Sequence, residues 1–128
     1  MRIIPNDNDG THRCALRLTG LIGLLIAIGT LIPLGPPAPP SDTMIDKLVH
    51  FAMFWALVLP LCSVRPRHAL WLIPVAIAYG GAIELIQPIS NRGADWMDWV
   101  ADILGAGGGG VTGFAIYLLA FRERGRDG

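Results

Sequence analysis

Residues 16–34, LRLTGLIGLLIAIGTLIPL, decide the fold class of this chain, because they contain no charged residue after Arg17. A helix that crosses a bilayer needs about 20 mostly apolar residues, and this stretch has that length. A buried helix of a soluble bundle would instead carry charged residues on one face. Residues 16–34 therefore predict a membrane-spanning helix.

Three more apolar stretches follow, at residues 48–64, 68–87 and 100–121. The hydrophobic fraction of the 128-residue chain is 52%, and its mean hydropathy is +0.50. We therefore predict an all-α integral membrane protein with four transmembrane helices in a single domain over residues 1–128. Its charged fraction of 16% and formal net charge of zero argue against a disordered chain and against a nucleic-acid partner.

Basic residues predict how the chain is oriented, since short cytoplasmic loops are enriched in Lys and Arg. Two of the predicted loops contain only Lys47 and Arg92 as basic residues. The termini and the remaining loop contain the other eight, which predicts cytoplasmic termini in a multi-pass protein of the inner (plasma) membrane. The eight are Arg2, Arg13, Arg17, Arg65, Arg67, Arg122, Arg124 and Arg126.

Polar residues inside or beside the spans fall at their predicted outward ends. Ionisable groups in a bilayer are costly, and they indicate a function unless they lie at the interface. Spacings of three, four or seven residues place them on common helix faces in three separate segments. We expect these faces to meet in one outward-facing polar cluster. Its predicted members are Asp46, Lys47, His50, Glu84, Gln87, Arg92, Asp95, Asp98 and Asp102.

The residue types in this cluster predict catalytic roles. His50 is the candidate general base or nucleophile, and Asp46, one helical turn away, is the candidate residue that orients it. Glu84 and Asp98 are candidates for a second acid/base or for cation ligands.

The remaining members of the cluster predict substrate binding. Lys47 and Arg92 are candidates for binding phosphate, Arg92 in bidentate fashion. Gln87 and Asp102 complete the predicted substrate-binding set.

Several carboxylates in one confined site need counter-charges, a shared proton or a bound cation. Carboxylate oxygens suit Mg²⁺ or Ca²⁺, and His50 would also allow a transition metal. The chain has no compact metal motif such as H-E-x-x-H. The sequence therefore does not identify a cofactor, and a divalent cation is one candidate.

Two other patterns concern packing and connection. Gly105, Gly109 and Gly113 form two overlapping G-x-x-x-G units, which predict a close helix–helix contact. The sequence leaves open whether the partner helix belongs to the same chain or to a second copy, so a homo-oligomer through this face is a candidate.

Prolines predict a stiff, extended connector after the first span. They are Pro33, Pro36, Pro37, Pro39 and Pro40.

The polar residues also carry a family resemblance. D-K-L-V-H-F at residues 46–51 resembles the D-K-x-x-H-F signature of VanZ-like membrane proteins, and E-L-I-Q at residues 84–87 resembles their E-x-x-Q element. The stretch N-R-G-A-D-W-M-D-W-V-A-D-I-L-G at residues 91–105 is similar to their final block. The resemblance covers residues 46–113, and one difference is Asp102, where the family often has Asn.

The resemblance implies an enzyme that acts on a phosphate- or sugar-bearing lipid head group, or on a lipid-linked cell-envelope precursor, at the outer leaflet. The family's namesake is linked to teicoplanin resistance without an agreed biochemical activity. The alternative is a non-catalytic binding or accessory protein for a lipid, an amphiphilic glycopeptide drug or a partner protein. Ion or proton conduction is disfavoured, because the predicted cytoplasmic halves of the spans lack matching polar residues.

Overall fold

The computed structural model describes residues 8–33, 35–36 and 43–124. Within these residues the chain forms helices and no strand. Four α-helices are long and apolar enough to cross a membrane, which confirms the predicted all-α class with four helices of membrane-spanning length. They are α1 (Asn8–Leu31), α2 (Met44–Val64), α3 (Ala69–Ile86) and α4 (Trp96–Arg124), and α3 is flanked by 3₁₀ turns at Pro66–His68 and Gln87–Ser90.

The ends of the helices differ from the apolar stretches by a few residues. α1 begins at Asn8 rather than at residue 16, and α4 begins at Trp96 rather than at residue 100. Hydropathy detects only the apolar part of a helix, whereas polar first turns are helical too. Before α4, the Asp95 carboxylate accepts a hydrogen bond from the Met97 N–H at 2.9 Å, as expected for an N-cap residue.

Some predictions concern residues outside those that the structure describes. They include three prolines of the predicted connector and the two terminal segments. The residues concerned are Arg2, Pro37, Pro39, Pro40 and Arg126.

The predicted glycine face of α4 packs against α2 of the same chain. A Cβ atom on Gly105 would overlap the Phe51 carbonyl oxygen, and one on Gly109 would lie 2.5 Å from the Trp55 carbonyl oxygen. Such distances are too short for a side chain, so only glycine allows these two backbones to approach. Of the two predicted partners for this face, the structure shows a helix of the same chain, and a homo-oligomer stays a prediction.

The inner pair of helices, α2 and α4, is flanked by α1 on α2 and by α3 on α4. The core lies around α2, where Phe54, Val58 and Leu61 are almost completely buried. Many large apolar side chains of α1 face outward instead, such as Leu21 and Leu24. Outward-facing leucines are what a helix presents to lipid.

The bundle has two polar ends. At one end, which we call the cleft end, α1 and α3 finish and α2 and α4 begin. There, Arg92, which follows α3, reaches the last turn of α1. We call the opposite end the one where Arg65, between α2 and α3, pairs with Asp9 of α1. All the candidate site residues belong to the cleft end.

Candidate functional site

His50 and Asp102 form a buried pair between α2 and α4. His50 Nδ1 lies 2.9 Å from Asp102 Oδ1, and the Asp102 residue is 0% exposed. The glycine contact brings them together, because Phe51 follows His50 and Gly105 lies one turn after Asp102. When Asp102 is ionised, its carboxylate only accepts hydrogen bonds, and Nδ1 is then the donor. Asp102 thereby orients the imidazole and leaves Nε2 on the other side of the ring.

A second carboxylate of α4 lies on the Nε2 side of His50. Asp98 Oδ2 is 3.8 Å from His50 Nε2, and Asp98 is buried. Asp98 and Asp102 are four residues apart, so they share one face of α4. The imidazole of His50 therefore lies between two carboxylates of the same helix.

Glu84 joins the cluster from the end of α3. Its Oε2 accepts a hydrogen bond from the Asp95 backbone N–H at 3.0 Å. Asp95 in turn forms an ion pair with Lys47 at 3.2 Å. This chain of contacts ties the start of α4 to α2 and α3.

Gly80 is a site residue that the sequence reasoning missed. A Cβ atom there would lie 2.6 Å from Asp102 Oδ2 and 3.2 Å from Asp102 Cβ. The missing side chain therefore makes room for the Asp102 carboxylate. Its signal in the sequence was its position, one turn before Glu84 on the same helix face.

A cleft of about 320 Å³ reaches this cluster from the cleft end. Pockets that take small ligands begin at roughly this size. Residues from α1, α2, α4 and the segment between α3 and α4 line it. They are Gly29, Thr30, Asp46, Val49, His50, Met53, Gln87, Arg92, Gly93 and Asp98.

Arg92 lines the cleft and also ties it to α1. Its Nη1 donates to the carbonyl oxygens of Gly29 at 2.7 Å and Thr30 at 3.1 Å. Carbonyls in the last turn of a helix lack partners within the helix, and a cation satisfies them. Asn91 makes the turn that directs Arg92 there, with a left-handed φ of 58°.

Lys47 and Asp46 make structural contacts besides the substrate-binding and catalytic roles predicted for them. Lys47, a predicted phosphate ligand, pairs with Asp95. Asp46 accepts a hydrogen bond from the Thr43 hydroxyl at 2.9 Å, and Thr43 Oγ1 accepts the Asp46 N–H at 3.3 Å. The pair resembles a capping box at the start of α2. The structure thus assigns the orientation of His50 to Asp102, not to Asp46 as predicted.

Asp95 lies at the edge of the cluster, in the segment between α3 and α4 and outside both helices. The Met97 N–H, followed by the hydrogen bond and charge of Lys47, holds the pKa of Asp95 below its usual value. Asp95 is therefore an anion at neutral pH. It neutralises Lys47 beside the cleft.

Three members of the cluster satisfy a geometric condition for binding a metal ion. His50, Glu84 and Asp102 each offer one potential ligand atom within 4.8 Å of those of the other two. All three residues are buried. Their arrangement was not evident from sequence spacing, because they come from three different helices.

Comparisons with family models, with curated proteins and with solved structures found no match to this chain. The VanZ-like resemblance stays a prediction that rests on the motifs at residues 46–51, 84–87 and 91–105. The structure brings most of the polar residues in these motifs to one end of the bundle, where they surround or line the cleft.

Proposed function

We propose that this chain is a VanZ-like membrane enzyme that acts on a phosphate- or sugar-bearing lipid head group, or on a lipid-linked cell-envelope precursor. The reaction would occur at the outer leaflet of the inner (plasma) membrane, with both termini in the cytoplasm. The observation that carries the proposal is the His50–Asp102 pair, which is buried among apolar helices while His50 also lines the cleft. Ionisable groups are costly in this environment, so such a pair favours a chemical role.

His50 is the proposed general base. With Nδ1 donating to Asp102, Nε2 can accept the proton of a water or of a substrate hydroxyl group. The oxygen of that group then attacks phosphorus or the sugar carbon, and the imidazolium returns the proton to the leaving oxygen. Asp98, 3.8 Å from Nε2, would stabilise the imidazolium, whereas Asp102 is a positioning residue.

Arg92 is the proposed head-group ligand. Its two bonds to α1 carbonyls both come from Nη1, and a guanidinium has five N–H donors in a planar fork. Nε and Nη2 would therefore bind phosphate oxygens while Nη1 holds the side chain in place. Gln87, which is buried and lines the cleft, would bind a head-group hydroxyl.

The test is lipid mass spectrometry of cells that express equal amounts of the wild type, His50→Ala and His68→Ala. We expect the wild type to deplete one lipid class and to accumulate its product, and His50→Ala to abolish the change. His68→Ala is the matched control, because His68 lies at the opposite end and contacts His12 there. Lipid profiles that do not differ between the wild type and His50→Ala would reject the enzyme.

A non-catalytic binding protein is the second candidate. It is favoured because the two basic side chains beside the cleft already contact other protein groups. Lys47 pairs with Asp95 and Arg92 bonds to α1, so both contribute to the structure of the cleft. Such a protein would hold a lipid, an amphiphilic glycopeptide or a partner protein in the cleft. It predicts saturable binding that survives His50→Ala and weakens in Arg92→Ala.

A further inference from the structure

Buried carboxylate oxygens without hydrogen-bond partners mark one place at the cleft end. Among the described residues, the buried side-chain oxygens that lack a partner include Glu84 Oε1, Asp98 Oδ1 and Asp102 Oδ2. Each of these three residues is at most 7% exposed. Buried polar atoms are almost always paired, so three unpaired oxygens in one cluster indicate a ligand.

The same residues surround His50 and carry excess negative charge. Three ionised carboxylates would place three negative charges beside one imidazole, and a protonated imidazole would offset only one. Lys47 pairs with Asp95 at the edge of the cluster, and Arg92 is hydrogen-bonded to α1. A divalent cation would offset two of the negative charges and would use the unpaired oxygens.

We propose that His50, Glu84, Asp98 and Asp102 form a binding site for one divalent transition-metal ion, of the Zn²⁺ or Mn²⁺ class. His50, Glu84 and Asp102 place potential ligand atoms within 4.8 Å of one another. Asp98 Oδ2, 3.8 Å from His50 Nε2, lies on the other side of the ring and completes the site as the carboxylate that orients His50.

The dimensions and chemistry of the site suit such an ion. Metal–ligand bonds of about 2.1 Å place ligand atoms roughly 3–4 Å apart, which small side-chain movements achieve here. An imidazole among carboxylates selects Zn²⁺ or Mn²⁺, since Mg²⁺ and Ca²⁺ prefer oxygen ligands alone. His50 would bind the ion through Nδ1, which lies 2.9 Å from Asp102 Oδ1. The ion would replace the hydrogen bond between these two groups, and Nε2 would then carry the ring proton.

This inference concerns the same cluster as the proposed function but does not rest on it, because a metal-bound His50 has no free ring nitrogen to act as the general base. A metal-binding chain with no effect on lipids would keep the site and reject the enzyme. A chain that changes the lipid profile but binds no metal would support the enzyme and reject the metal site.

The experiment measures bound metal in the purified full chain, in detergent and without a polyhistidine tag. After chelator treatment, the protein is dialysed against Zn²⁺ or Mn²⁺ and analysed by inductively coupled plasma mass spectrometry. We expect about one ion per chain in the wild type and at least about tenfold weaker binding in Glu84→Gln and Asp102→Asn. Glu123→Gln, the same change at an exposed position near the end of α4, should bind like the wild type.

A spectroscopic titration of the wild type covers the case in which a variant does not fold. Co²⁺ is the probe, because its d–d absorption bands report binding to nitrogen and oxygen ligands. Saturation at about one equivalent supports the site. The proposal is overturned if the wild type binds no ion by either method, or if folded Glu84→Gln and Asp102→Asn bind as tightly as Glu123→Gln.

Discussion

The two ends of the bundle both carry charged side chains, but among the described residues the buried ones lie at the cleft end. At the cleft end, His50 is 8% exposed and Asp102 is completely buried, and they contact each other at 2.9 Å. At the opposite end, the Asp9–Arg65 ion pair has a similar separation of 3.3 Å, yet its side chains are 69% and 43% exposed. The two pairs therefore differ in their environment far more than in their length.

This difference separates charged groups that water solvates from charged groups that only other protein groups contact. An exposed ion pair contributes little, because water already solvates both groups. A buried charge has lost that solvation, so it depends on its partners and is destabilising without them. We therefore expect substitutions at the cleft end to alter stability and ligand binding together, and substitutions at the opposite end to alter neither strongly.

The largest effect should come from separating α4 from α2 beneath the cleft. Gly105→Ala would press a methyl group against the Phe51 carbonyl oxygen, and backbone cannot move aside as a flexible side chain can. We expect a loss of about 3 kcal/mol, the upper part of the range for overpacking, in thermal unfolding of the detergent-solubilised protein.

Gly107→Ala is the matched control for this prediction. It makes the same change in the same helix, and a Cβ atom at Gly107 meets nothing within 4 Å. Both variants gain the same helix propensity, so their difference isolates the contact with α2. Equal stabilities of the two variants would contradict the close contact between Gly105 of α4 and the backbone of α2.

A smaller effect is expected from removing one buried carboxylate. Asp102→Ala leaves the His50 N–H buried without its acceptor, and we expect a loss of about 1–2 kcal/mol. Asp9→Ala, the matched change at the opposite end, should leave the midpoint of thermal unfolding unchanged, because Asp9 is exposed. If the two alanine variants unfold alike, burial is not what distinguishes the ends.

The smallest effect is a pH dependence at the rim of the cluster. Asp95 has a lowered pKa, so its carboxylate stabilises the fold above the ordinary aspartate pKa near ~4. That contribution is lost as the pH falls through the lowered pKa. Asp95→Asn removes the charge but keeps an oxygen for the Met97 N–H.

The measurement compares unfolding of the wild type and Asp95→Asn over a pH series. We expect a small stability difference at pH ~7 that shrinks once the pH falls below about 4. A difference that grows on acidification would show that Lys47 is not stabilised by the Asp95 charge.

Much of this organisation could be predicted from the order of residues. Hydropathy located four helices of membrane-spanning length, because apolar length is a local property that needs no knowledge of partners. Helical spacing placed His50, Glu84 and Asp98 at one end of those spans, since neighbouring helices in a short-looped chain alternate in direction. The glycine spacing in α4 predicted a close contact without naming the helix that makes it.

The partners within the cluster could not be predicted in this way. Spacing suggested Asp46 as the partner of His50, because the two are four residues apart on α2. In the structure Asp46 caps α2 with Thr43, and His50 turns toward Asp102 of α4. Side-chain direction around a helix depends on which neighbour packs on which face, and that information is not local.

The sequence by itself determined that this chain has four membrane-length helices and that its buried charges gather at one end. Both follow from periodicity and hydropathy along a single chain. Only the tertiary structure decided that α2 fills the glycine face of α4, that Gly80 makes room for Asp102, and that His50 lies between two carboxylates of α4. These contacts join residues far apart in the chain, and they exist only because two helix backbones approach where glycine leaves space.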